Sequence, residues 1–232
     1  MNELLRACCR EYGIEMSVKA EEGFQTCLEM LIEHNKKINL TAITECKDII
    51  LKHFVDSIAA ASLLKMGARV CDIGAGAGFP SIPLKLVRED LSFTLLEATG
   101  KKVSFLRELI AELGLSGVEA RHLRAEDAGR GAYRGEFDAV VARAVAGTSV
   151  LLEYAMPLLK PGGVLIAYKT NSDAALKGCQ NAIKRLNTRI KDRRDYVLYG
   201  TDMKRALLVF EKIGETPAKY PRGGGKERSK PL

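Results

Sequence analysis

The sequence predicts an α/β protein: a mostly parallel sheet with helices on both faces, preceded by an N-terminal helical segment. Three observations carry this. From Ala68 onward, short apolar runs alternate with helical stretches of about 10 to 16 residues. The first of those runs ends in a glycine-rich turn, GAGAG at 74–78. Before residue 67 no segment has strand character, and apolar residues recur at helical spacing.

Taken in order, the chain reads as three parts: a helical extension over 1–66, an α/β core over 67–216 and a basic tail over 217–232. In the extension, FQTCLEMLIEHNKKINL sets Phe24, Cys27, Leu28, Leu31, Ile32 and Ile38 on one stripe. CKDIILKHFVDSIAAASLLKMG repeats the pattern up to Gly67, a natural stop. In the core, ARVCDIG reads as a buried strand. FPSIPLKLVRED reads as a helix whose prolines fall in its first turn. SFTLLEA, GVEARHL, EFDAVVARAV and VLIAYK read as four further strands. GKKVSFLRELIAELGL, TSVLLEYAMPLLK and AALKGCQNAIKRLN read as helices. DYVLYG and RALLVFEKI suit a closing antiparallel pair. The last 16 residues, rich in Pro, Gly and Lys/Arg, are expected to carry little core of their own.

Composition narrows the class. A chain of 232 residues with 47% hydrophobic content suits one domain with a sizeable core. No apolar run approaches the roughly 20 residues of a membrane span, and MNELLRACCREYG lacks a signal peptide's apolar stretch. A cytoplasmic, monomeric protein is expected. Six cysteines form no CxxC pair and three histidines stand at no ligand spacing, so no metal site is expected and the thiols should be reduced and mostly buried. The net charge is +7, and it gathers late. Residues 177–195 hold seven Lys/Arg against two Asp, and 217–232 hold five against one Glu. Such basic stretches suit a phosphate backbone, or simply a solvated surface.

The glycine turn narrows it further. Ligands of open α/β sheets lie beyond the carboxyl ends of the strands, near the switch in strand order. The dinucleotide fingerprint is GxGxxG. Here Gly74, Gly76 and Gly78 are spaced GxGxG, and the position the fingerprint needs next is Phe79. Asp72 stands two residues before the first glycine. A fixed negative charge there would repel a pyrophosphate and attract an ammonium or sulfonium. Glu97 ends the second strand about twenty residues past the turn, where a carboxylate can accept from both ribose hydroxyls. RAED, at 124–127, ends the third strand near where an adenine would lie. An adenosine with a cationic tail, S-adenosylmethionine, fits better than NAD or ATP, and the P-loop pattern is absent.

With DIGAGAGFP, LLEATGKK, RAED, FDAVVARA and LKPGGVLIAYK, the chain resembles the class I, Rossmann-like AdoMet-dependent methyltransferases. HNKKINLTAI, HFVDSIA, GAGAGFPSIPL and YPRGGGKERSKPL make it similar, over nearly its whole length, to the small-subunit ribosomal RNA methyltransferase G family, also called glucose-inhibited division protein B. The resemblance implies methyl transfer from AdoMet to N7 of a guanine in 16S rRNA. It places cofactor contacts on Gly74, Phe79, Ala125, Glu126 and Arg143. Glu97 joins them from the reading of the strands. Three positions depart from the family pattern: His34 for Trp, Ser81 for Gly and Thr170 for Gly.

The chemistry agrees with the residues. Guanine N7 carries a lone pair and no proton, so its methylation needs placement rather than a base. A [DN]PP-aromatic motif for amine methylation is absent, and no cysteine adjoins a proline as cytosine C5 chemistry usually requires. Lys169, Arg222, Asn39 and His53 are the candidates for touching RNA. Arg143 suits the AdoMet carboxylate or a phosphate. His53 and Asp56, three apart, suit either a structural hydrogen-bonded pair or a substrate role. Competing readings are a small-molecule methyltransferase, which has little use for a basic tail, an NAD-dependent oxidoreductase, which Phe79 and Asp72 oppose, and a non-enzymatic RNA-binding protein, which the intact loop opposes.

Overall fold

The computed structural model describes residues 2–232. A seven-stranded sheet in the order β3-β2-β1-β4-β5-β7-β6 forms its centre. β1 (Arg69–Ile73) lies between β2 (Ser92–Glu97) and β4 (Phe137–Arg143), and both pairings are parallel. β3 (Val118–His122) and β5 (Leu159–Lys169) extend the parallel set on either side. β7 (Lys204–Lys212) then pairs antiparallel with β5, and β6 (Thr188–Val197) closes the edge. The order reverses between β1 and β4, so the carboxyl ends of those strands frame the ligand crevice.

Side-chain alternation sorts the strands into two apolar layers. Val70, Phe93, Leu95, Val141 and Ile166 face one cluster, and Cys71, Leu96, Val140, Ala142 and Leu165 the other. On the first face pack α1 (Asn2–Glu11), α2 (Val18–Asn35), α5 (Ser81–Val87) and α6 (Gly100–Glu112). With them runs a continuous helical stretch of α3 (Cys46–Ile49), a π-helical segment (Ile50–Val55) and α4 (Asp56–Ile58). The N-terminal helices thus share one core with the sheet. The other face carries α7 (Ala125–Arg130), α8 (Thr148–Ala155) and α10 (Gln180–Arg185).

α2 begins where Ser17 Oγ accepts from the Ala20 amide at 3.1 Å, a standard N-terminal cap. It stops at Asn35, short of the stripe read to residue 40. There the Asn35 carboxamide accepts from the Leu40 and Thr41 amides and donates to the Thr41 carbonyl, folding the chain back. Asn39 therefore sits exposed in a loop rather than on a helix. α5 is shorter than expected and begins after Pro80.

Three other expectations change. The helix read over 174–187 is two, α9 (Ser172–Leu176) and α10, parted at Gly178 with φ +79°. β6 starts at Thr188, well before DYVLYG, because an edge strand has one neighbour and tolerates the polar run. Last, the tail has a real core. Tyr220 is buried, and Glu227 in α11 (Lys226–Ser229) accepts from the Gly223 amide. Arg134 donates to the Thr216 and Tyr220 carbonyls at 2.7 and 2.8 Å. No helix among the described residues is long and apolar enough to cross a membrane.

Candidate active site

β1 ends at Ile73 and the chain turns at once. Gly74, Gly76 and Gly78 all have positive φ, at +69°, +59° and +95°. Each is needed for conformation, and two also for space. A Cβ on Gly74 would stand 3.0 Å from Val145, and one on Gly78 2.7 Å from Ile82. A Cβ on Gly76 would meet only the Gly74 carbonyl, at 3.8 Å, so that turn faces open space. Glu97 ties the turn to the end of β2. Its Oε2 accepts from the Gly76 amide at 3.0 Å and its Oε1 from the Thr99 amide at 2.8 Å. Each oxygen keeps a second lone pair for a ligand hydroxyl. Ala125 and Glu126 open α7, just past β3, with Ala125 buried and Glu126 half-buried.

Phe79, His53 and Arg143 are brought together although they come from three distant segments. The His53 ring stacks on Phe79 at 4.6 Å and 12°, and the Arg143 guanidinium lies 5.2 Å from the Phe79 centroid. Arg143 is a donor only, so His53 Nδ1 accepts from it at 3.0 Å. His53 Nε2 then carries the proton toward Thr41 Oγ1 at 2.8 Å, an assignment that follows from the hydrogen bonds. Burial, and then the Arg143 charge, push the His53 pKa down to about 3, so the ring is neutral. Its seat in a π-helical segment is a geometry that recurs at functional sites.

His53 and Asp56 do not pair directly, as their spacing had suggested. They meet through Arg143, which donates to Asp56 Oδ2 at 3.3 Å and to the Lys52 carbonyl at 2.9 Å. Asp56 also accepts from the Tyr196 hydroxyl at 3.0 Å and lies 3.5 Å from Arg205. Thr41, Tyr196 and Arg205 have no local signal, since their partners lie 12 to 149 positions away in the chain.

Asp72 corrects the expectation of a fixed charge beside the turn. It is fully buried beneath it, and desolvation pushes its pKa up to about 7. Its Oδ2 accepts from Ser81 Oγ at 2.6 Å, while Oδ1 has no partner. The departure at Ser81 is thus a working contact.

The remaining RNA candidates scatter. Lys169, at the end of β5, donates to the Ala146 carbonyl at 2.9 Å, and burial lowers its pKa. It lines a cavity of about 590 Å³ with Thr148, Asn171, Lys177 and Leu232. Arg222 is engaged within the protein. It clamps Glu153, wholly buried on α8, through three contacts of 2.7 to 3.2 Å. The basic run of β6 is likewise countered: Arg189 and Lys191 hold Glu211, and Arg193 holds Asp173 and Asp195. The sequence count missed Glu211 and Asp173 because they lie outside the run.

Comparison with known proteins agrees with this geometry. Residues 20–197 match the family model described as rRNA small subunit methyltransferase G. The chain is 45% identical over 228 residues to a Lactobacillus johnsonii protein named Ribosomal RNA small subunit methyltransferase G, covering 96% of this chain and 95% of that one. A Streptococcus pyogenes protein of the same name is 46% identical over 227 residues, with the same coverage. Among solved structures, P. horikoshii TYW2 in complex with MeSAdo is similar in fold. Its TM-score is 0.56 at 16% identity, over 68% of this chain and 62% of that one. The architecture is that of the class I AdoMet-dependent methyltransferases, and the chain belongs to the rRNA small subunit methyltransferase G family.

Proposed function

We propose that this protein transfers a methyl group from S-adenosylmethionine to N7 of a guanine in 16S ribosomal RNA. The observation that carries the cofactor half is the open glycine turn whose Gly76 amide is held by Glu97. The residues fit the group. Gly76 leaves room for an adenosine, Glu97 has free lone pairs for its ribose, and Glu126, half-buried just past β3, is the residue we assign to its base. Bound there, the cofactor supplies an electrophilic methyl on a sulfonium.

The chain's own part is placement. Phe79, stacked on neutral His53 and covered by Arg143, gives the crevice a rigid wall. Both His53 nitrogens are engaged and its pKa is low, so it is no proton acceptor. That suits N7, which has no proton to lose. Membership of the rRNA methyltransferase G family carries the substrate half. The reaction belongs in the cytoplasm, where ribosomal RNA is.

Tritiated AdoMet, incubated with the protein and small-subunit rRNA or subunits lacking the mark, tests this. Label should enter 16S rRNA, and the labelled guanosine should be cleaved after reduction and aniline treatment. Label confined to protein or small molecules, or resistant to that cleavage, would contradict it.

A further inference from the structure

Asp72 and Ser81 form a contact that the reaction as described does not use. Both side chains are wholly buried, nine residues apart, on either side of the glycine turn. The hydroxyl reaches Oδ2 at 2.6 Å, and Oδ1 is left without any donor. A buried carboxylate oxygen with no partner is costly unless something else makes the charge worthwhile.

We propose that Ser81 is a positioning residue for the cofactor: its hydroxyl fixes the Asp72 carboxylate beneath the turn and favours its charged form, which draws the cofactor's cationic end. This rests on the AdoMet reading above. A neutral O–H donor stabilises a carboxylate over its acid. The groups facing Asp72 are few. Arg143 on β4 favours its charge. Glu97 at the end of β2 opposes it, and Tyr168 on β5 and the neighbouring thiol of Cys71 face it as neutral groups. Burial raises its pKa to about 7, and the Ser81 hydroxyl, followed by the Ser81 amide, leads the influences pulling the other way. Asp72 therefore stands near half-ionised at neutral pH. A cation arriving above it completes the ionisation and releases a proton.

The link predicts a measurable exchange. Calorimetry of AdoMet binding in buffers of different ionisation enthalpy should show protons released near pH 6.5 and almost none at pH 9. Removing the hydroxyl should move that release to higher pH. A rise of about one pH unit would cut the charged fraction at pH 7 from about half to about a tenth, weakening AdoMet roughly fivefold. Toward pH 9 the affinities should converge.

The variants are Ser81→Ala and Ser81→Gly, which lack the donor in two backbone contexts, and Asp72→Asn. In Asp72→Asn, proton release should vanish, and adding Ser81→Ala should change nothing further. A uniform loss of affinity at every pH, or proton release identical in all variants, would overturn the proposal while leaving the cofactor reading intact. Failure of the unmodified protein to bind AdoMet would overturn both.

Discussion

Two turns of this protein use three glycines in left-handed conformation, and they do opposite things. Gly74, Gly76 and Gly78 follow β1, and Gly223, Gly224 and Gly225 precede α11. In each, a carboxylate takes a glycine amide: Glu97 takes that of Gly76, and Glu227 that of Gly223. At the first turn, Gly76 faces open space at the carboxyl edge of the sheet. At the second, Gly223 packs under the Arg130 guanidinium, and the neighbouring Arg222 is locked to buried Glu153. The same local chemistry builds a binding crevice in one place and a strap in the other. What differs is what the rest of the fold sets against it.

The comparison breaks most visibly at Glu153. Glu153→Ala should leave Arg222 partly buried without its anion, at a cost of about 3 to 5 kcal/mol. Urea denaturation should show that loss, while AdoMet affinity in the folded protein stays as it was. A loss of affinity without a loss of stability would mean the strap is part of the site.

Asp72 sharpens the contrast by titration. Its folded pKa is raised from 3.8 to about 7, so between those values the folded state binds a proton that the unfolded state has released. Stability therefore falls as pH rises through that window, by at most about 4 kcal/mol, and stays low above it. Asp72→Asn should stabilise the ligand-free protein more at pH 8 than at pH 5. His53 titrates with the opposite sign, because its lowered pKa makes stability fall as pH drops below about 6.5. Comparing variant with parent at each pH isolates Asp72. Equal stabilisation at both pH values would refute this assignment.

Glu97→Ala should act on binding first. It removes the acceptor for the Gly76 and Thr99 amides together with the ribose partner. AdoMet affinity should fall at least about tenfold, or ~1.4 kcal/mol. Calorimetry would count against the site if affinity held.

Much of the first turn was legible in the sequence and little of the second. Strand, glycines and Glu97 lie within about thirty residues, and their spacing states their geometry. The single-face stripe of Phe24, Cys27, Leu28 and Leu31 was equally plain, and all four are buried. The Arg143 cluster was not, because its bonds to His53 and Asp56 span 87 to 90 positions, and Tyr196 reaches Asp56 across 140. Such contacts leave no periodicity. The tail misled for another reason. Its composition is that of a solvated segment, yet Tyr220 meets Arg134 and Arg222 meets buried Glu153 on α8, partners that only folding brings near. Charge counted along the chain likewise overstated the bareness of β6, whose cations are met by Glu211 and Asp173.

A matched pair of substitutions separates the roles of the two turns. Gly76 and Gly224 have φ of +59° and +65°, and at neither would a Cβ meet any atom closer than 3.8 Å. Alanine at each should therefore strain the backbone alike, by about 1 to 2 kcal/mol. The measurement is AdoMet affinity by calorimetry for Gly76→Ala and Gly224→Ala side by side, with their stabilities as the control. Stability should fall by similar amounts in both, while affinity should weaken at least tenfold in Gly76→Ala and stay unchanged in Gly224→Ala. Equal affinities in the two variants would contradict this.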